Sequence, residues 1–190
     1  MKTATFNIRG VAPLLMHSAR LSDPLEPLTK QLAEITAIPS KKKTLAHHGE
    51  MARIEWLGGV YSDTGGRPMI PAENLEALIR GGAKKKRMGK DVEAGLRVDG
   101  DALVKYTGPK TIDKLVDDPS FYFRASIKVG QARVMRTRPI FRQWSLKFSV
   151  LFDEDIISTA DTVRTFLKLA SSRVGLGDWR PRYGRFEVLK

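Results

Sequence analysis

The sequence predicts an α+β fold in which an antiparallel sheet carries its helices on one face. Two segments, Ala4 to Arg9 and Ile140 to Phe152, alternate apolar with polar residues at the period of two that a half-buried strand requires. Helical stripes lie between and after them, best formed by Val163, Phe166, Leu167, Ala170 and Val174, and glycine or proline marks the boundaries. With 190 residues, 42% of them hydrophobic, the chain is expected to form one domain over residues 1–190 whose core needs no covalent staple.

The first strand, Ala4-Thr-Phe-Asn-Ile-Arg9, stops near Gly10, and Pro13 breaks its pattern. From Pro24 onward Leu25, Leu28, Leu32 and Ile35 fall at i, i+3, i+7 and i+10, which predicts a helix with Asp23 as cap and Pro39 as terminator. Ser40 to Lys43 is a basic loop, and Thr44 to Gly58 is a weaker helical segment with Met51 and Ile54 on one side. Val60 to Ile70 reads as a hairpin whose turn draws on Gly65 and Gly66 for positive φ. Pro71 opens a helix with Glu73 near its positive end and Leu75, Leu78 and Ile79 on its apolar stripe.

The run Gly81 to Lys90 has five basic residues in ten and is expected to be a mobile arm, too polar to pack. Leu103 to Val116 carries no assignable pattern. Beyond it, Phe121, Phe123, Ile127 and Val129 form one alternating series and Ile140, Trp144, Leu146, Phe148, Val150 and Phe152 another. These predict two adjacent antiparallel strands joined through a basic segment, 130–138. Ser158-x-x-Asp161 resembles a capping box for the last helix, and a glycine-hinged turn leads into a closing strand, Arg185 to Leu189. The order strand, helical insertion, hairpin, helix, strands, helix, strand is compatible with a ferredoxin-like core.

Charge narrows the partner. Lys and Arg number 33 against 21 Asp and Glu, a formal net charge of +12 that suits nucleic acid, although a membrane surface or an acidic protein would satisfy it too. Against a membrane, the apolar runs are far below spanning length, and no basic amphipathic helix carries a Trp/Phe/Leu face. The chain has no cysteine, hence no disulfide or thiolate metal site, and it starts as a polar strand, so a cytoplasmic protein is expected. The placement of charge says more than its sum: residues 121–152 hold seven basic residues and no acid, whereas residues 98–120 hold three Lys against five Asp.

Four basic clusters stand apart in sequence: Lys41, Lys42 and Lys43; Lys84, Lys85, Lys86 and Arg87; Arg133, Arg136 and Arg138; and Arg180, Arg182 and Arg185. Aromatic residues lie beside two of them, Phe141 with Trp144 and Trp179 with Tyr183, a pairing that suits single strands because phosphates need cations and unstacked bases need flat faces. Trp144 lies on the apolar face of its strand and is assigned to the core, which leaves Trp179 as the better stacking candidate. The basic run Lys84 to Lys90 is equally readable as a solvated flexible tail or a binding arm.

Signals for catalysis are thin. His17, His47 and His48 have no metal-ligand spacing, and no cofactor is expected. His17, beside Ser18, has the chemistry of a general base for RNA cleavage, though a loop histidine is the commoner role. Asp23 and Asp63 have adequate readings as a cap and a turn residue. No nucleophile triad or phosphate loop is present, since Gly81-Gly-Ala-Lys-Lys-Lys86 follows a helix instead of opening one.

Two motifs carry a family resemblance. Gly66-Arg-Pro-Met-Ile-Pro-Ala-Glu-Asn-Leu-Glu-Ala-Leu-Ile-Arg80 resembles the strand-to-helix segment of the RAMP superfamily, and Gly175-Leu-Gly-Asp-Trp-Arg-Pro-Arg-Tyr-Gly-Arg-Phe186 is similar to its C-terminal glycine-rich loop. Within that superfamily the resemblance is to the repeated backbone subunit that coats the guide RNA of CRISPR effector complexes, part of antiviral defence. It implies an RRM-like, ferredoxin-type fold with thumb and helical insertions, side-by-side assembly along RNA, and an RNA groove lined by Asn74 to Arg80 and Gly175 to Arg185. Ala72-Glu73-Asn74 replaces the family's Gly-Ser-Ser or a close relative, and Glu73 would repel a phosphate. The chain is also shorter than most such subunits, as a solitary, phage-encoded relative would be.

The expectation is therefore a non-catalytic protein that self-associates along single-stranded RNA, as a filament or within a multi-subunit ribonucleoprotein. The alternatives are a phage-type single-stranded DNA-binding or recombination protein, a RAMP-type endoribonuclease using His17, and an interaction protein whose basic surface takes an acidic partner.

Overall fold

The first alternating segment becomes β1 (Lys2–Gly10) in a computed structural model that describes residues 1–190, the Val129 side chain excepted. Along the chain follow β2 (Leu14–Leu15), α1 (Pro27–Ala37), α2 (Leu45–Gly59), β3 (Met69–Ile70), α3 (Ala72–Ala83), α4 (Gly89–Gly95), β4 (Leu96–Val98), β5 (Ala102–Leu103) and α5 (Ile112–Leu115). The chain closes with β6 (Tyr122–Val129), β7 (Ala132–Phe141), β8 (Ser145–Phe152), α6 (Ala160–Arg173) and β9 (Phe186–Val188).

The main sheet is antiparallel, in the order β4-β8-β1-β9. Phe6 of β1 lies opposite Phe148 of β8, and Ile8 opposite Leu146, so the apolar halves of both alternations share one face. That face is covered by α3, through Leu75, Leu78 and Ile79, and by α6, through Val163, Phe166, Leu167 and Ala170. The two helices meet so closely that a Cβ on Gly82 would lie 2.0 Å from the Phe166 carbonyl oxygen, which only glycine avoids. The core sequence β1-α3-β4-β8-α6-β9 with this strand order is the ferredoxin-like arrangement, and the α+β fold class is as expected.

Two insertions interrupt that core, between β1 and α3 and between β4 and β8, and they fold together. β2 from the first pairs with β7 from the second, β6 extends this into a three-stranded sheet, and β3 pairs with β5. The helix α2 lies against β7 and is pinned by Trp56, whose indole N–H donates to the Phe121 carbonyl at 2.8 Å and whose ring stacks on Tyr122. In turn α1 lies on α2 and buries none of its residues fully. The predicted hairpin over 60–70 is present as a bridge between Ser62 and Pro68, with Gly66 at φ +71°.

Four expectations need correction. The basic segment 130–138 is no connector, because most of it is β7, paired with β6 around Gly130, while β8 joins the other sheet. Its charge reads as loop because the acids paired with Arg136 and Arg138, Glu55 and Asp178, lie far away in sequence. Nor is Gly81–Lys90 a mobile arm: α3 continues to Ala83, one tight turn spans Lys84–Lys86, and α4 begins at Gly89. Buried Gly82, Ala83, Gly89 and Val92 supply packing that the lysines mask. Asp23 does not cap α1, which starts at Pro27 after Glu26; its carboxylate accepts from the Leu25 N–H instead. The cap of α6 is Thr159, whose hydroxyl accepts from the Thr162 N–H at 3.2 Å, rather than Ser158.

Candidate nucleic-acid interface

The glycine-rich turn after α6 is held by its own backbone. The Leu176 N–H donates to the Gly184 carbonyl, the Asp178 N–H to Leu15 and the Gly184 N–H to Pro13, which clamps the turn onto β2 and the residue just before it. Gly177 and Gly184 have φ of +81° and +69°, and a Cβ on either would lie 2.2 Å from the Leu15 oxygen or 1.7 Å from the Leu176 oxygen. The close approach that these glycines permit is therefore to the chain itself. What the turn offers outward is its side chains: Trp179, Arg180, Arg182 and Arg185 are all exposed.

Trp179 holds φ of +50°, a left-handed conformation uncommon outside glycine. Its ring meets Phe123 of β6 edge-on at 5.4 Å, and Tyr183 meets the same Phe123 at 5.4 Å. The three rings form an aromatic cluster whose Trp179 is 38% exposed and so reachable from solvent. Phe123 belongs to a strand alternation and gave no sign in sequence of joining the loop aromatics.

Beside this cluster lie two cavities. One, of about 520 Å³, is bounded by α3, the end of α6 and the turn, and is lined by Arg80, Lys84, Lys85, Arg173 and Arg180. Only Arg80 among these five is ion-paired, to Glu93 at 3.1 Å. The other, of about 240 Å³, is lined by Met16, His17, Tyr61, Ile70 and Asn74 on one side and Leu176, Gly177, Asp178 and Arg180 on the other. Ala77 and Arg180 belong to both, so the two form one trough.

The predicted residues distribute unevenly over this surface. Asn74, Arg80, Lys84, Lys85 and Arg180 line the trough, and Trp179 and Tyr183 form the cluster beside it. Arg182 and Arg185 are exposed on the same turn, and Lys86 and Arg87 are exposed at the end of α3. Arg136 and Arg138 are committed within the chain: Arg136 reaches the buried Glu55 at 2.7 Å, and Arg138 pairs with Asp178 at 3.1 Å. Arg133 lies opposite Lys128, near the free end of the β6–β7 hairpin. Lys41, Lys42 and Lys43 stand between α1 and α2 and line neither cavity, with Lys43 donating to the Thr36 carbonyl. Sequence reading missed Arg173, although its place one turn before the glycine loop was a usable signal.

His17 lies in the wall of the smaller cavity. Its Nε2 lies 3.4 Å from an Arg138 nitrogen, and the Tyr61 hydroxyl donates to its carbonyl. The residue as a whole is exposed, while its ring is partly sunk in the cavity wall; that burial, and then the Arg138 charge, push the imidazole below its ordinary value of 6.5 against the pull of Asp178 and Glu55. His47 has a different task, closing a capping box at the start of α2 with Thr44. Trp144 is buried over Gly10, and its N–H donates to the Ala12 carbonyl, a core role.

The outer face of the main sheet is polar but for Leu151, with Thr3, Thr5, Asn7 and Arg9 of β1 aligned beside Leu151, Ser149, Lys147 and Ser145 of β8. None of these eight residues is aromatic, so the two central strands are RRM-like in topology without an RRM's stacking residues. Among the described residues no three His, Cys, Asp or Glu side chains come together as a metal site, and no helix is long and apolar enough to cross a membrane.

No family model and no curated protein matches the chain. Among solved structures, it is similar to a chain of a type III-B Cmr-beta complex bound to cognate target RNA, solved by cryo-EM, with a TM-score of 0.58 at 12% sequence identity. The match covers 100% of this chain and 60% of that one, so the protein spans under two thirds of its neighbour's length. The likeness is one of fold alone, that of a ferredoxin-like α+β domain.

Proposed function

We propose that the protein is a non-catalytic, single-stranded nucleic-acid-binding subunit, with RNA its first ligand, that assembles with further copies or other subunits along the strand. One observation carries this reading: five cations from α3, its following turn, α6 and the glycine loop converge on one trough beside an exposed aromatic cluster. Phosphates need the former and unstacked bases the latter. Support also comes from the fold, which resembles a chain of an RNA-bound complex, and from the net charge of +12. His17 is assigned to holding Arg138, not to cleavage; loss of RNA cleavage by His17→Ala, if the parent cleaves, would contradict that. The test is titration of labelled single-stranded RNA, single-stranded DNA and duplex at several salt concentrations, with light scattering to follow assembly. Tightest binding to single-stranded DNA would instead favour a phage-type recombination role.

A further inference from the structure

The smaller of the two cavities differs in character from the cationic one beside it. Its floor is apolar, from Met16, Ile70 and Leu176, each no more than 1% exposed. Its polar lining comes from different elements: Asn74 from the first turn of α3, His17 from the segment after β2, Asp178 and Arg180 from the glycine loop, and Tyr61 from the hairpin before β3. Among the described residues none hydrogen-bonds the Asn74 side chain. Asp178 is fixed on both oxygens, accepting from Arg138 at 3.1 Å and from the Trp179 N–H at 2.9 Å. At about 240 Å³ the recess falls below the range of roughly 300–1,000 Å³ usual for ligand sites and holds no more than one small ring system.

We infer that this recess takes a single unstacked nucleobase while the adjoining backbone phosphate sits on Arg180, and that it prefers a base carrying an exocyclic amino group over uracil. The inference rests on the nucleic-acid reading above and names the specificity of the same trough. Arg180 lines both cavities, so a strand held by the cations passes the mouth of the recess. Free bases are recognised by stacking on apolar or flat surfaces and by hydrogen bonds to their edges, which is what an apolar floor with a convergent amide and carboxylate supplies. A carboxylate only accepts hydrogen bonds, and the oxygens of Asp178 retain acceptor capacity beyond the two bonds they make. An amino group satisfies that capacity, whereas uracil, its one edge donor N3–H taken up by the Asn74 amide, would set its O4 carbonyl against the carboxylate. The Asn74 amide supplies a donor and an acceptor side by side, which pair with the edge of adenine or of uracil alike and so fix which exocyclic group, amino or carbonyl, faces Asp178.

Fluorescence anisotropy with oligo(rA), oligo(rC) and oligo(rU) of one length tests this, with Asn74→Ala and Arg180→Gln as the variants. Asn74 lies partly exposed in a first helical turn, where alanine is well tolerated, and thermal melts confirm that both variants fold. The expected result is oligo(rU) binding about tenfold more weakly than oligo(rA), with Asn74→Ala reducing that ratio towards one and Arg180→Gln weakening all three alike. Equal binding of the three oligomers by the parent, or a preference unchanged in Asn74→Ala, overturns the recess while leaving the nucleic-acid reading intact. Absence of binding to any of them overturns both.

Discussion

At Gly184 the chain has no room for a side chain. An alanine there would combine a φ of +69° with a Cβ 1.7 Å from the Leu176 oxygen, in the turn that holds Arg180 and Trp179 in place. Gly100 has a similar φ of +80° but open space around it, so it isolates the conformational part alone. Gly100→Ala is expected to cost about 1 kcal/mol and Gly184→Ala about 3 kcal/mol or more in urea unfolding, with nucleic-acid affinity falling in the second only. His17 makes a second prediction at this scale. Its folded value lies below 6.5, so between the two values the unfolded chain holds more protons, and the contribution is complete above the unfolded value and lost as pH falls through that window. Thermal melts at about pH 7.5 and about pH 5.5 should show the parent losing more stability on acidification than His17→Gln, since the other titrating groups are common to both.

Between elements, the link from α2 to β7 carries the most consequence, because it ties the helical part of the first insertion to the sheet of the second. Glu55 is 5% exposed and accepts from both Arg136 and the Thr137 N–H at 2.7 Å. Glu55→Ala removes both bonds and leaves a buried N–H unpaired, while the Arg136 side chain, 35% exposed, retains access to water. A cost of about 2 kcal/mol by denaturant titration is therefore expected, short of what a fully buried pair would lose. This same link shows where sequence reading stopped. Alternation identified β1 and β8 because their neighbours impose one buried face, and the stripes of α3 and α6 did likewise. β7 was unreadable because its basic residues are balanced by acids from other elements, Glu55 and Asp178, and no local pattern reports a partner that distant. The lysine turn after α3 failed for the converse reason: its packing comes from small residues, which composition counts as neutral.

For the whole molecule, the ferredoxin-like core does two things: it buries one sheet face under α3 and α6, and it brings the start and end of α3 beside the glycine loop. The loop's arginines and the lysines of residues 84–86 were legible as basic clusters, yet their convergence was not, since it depends on α6 delivering the loop against α3. The smaller recess was illegible altogether, being built from four separated segments. The most direct test of the central claim is the salt dependence of single-stranded RNA binding. If the cationic trough holds the backbone, log affinity against log salt should fall with a slope of about −3, taking about 0.7 per neutralised phosphate on a single strand, and Lys84→Gln/Lys85→Gln/Arg180→Gln together should flatten it by about 2. A slope near zero, or one the triple variant leaves unchanged, would contradict the account.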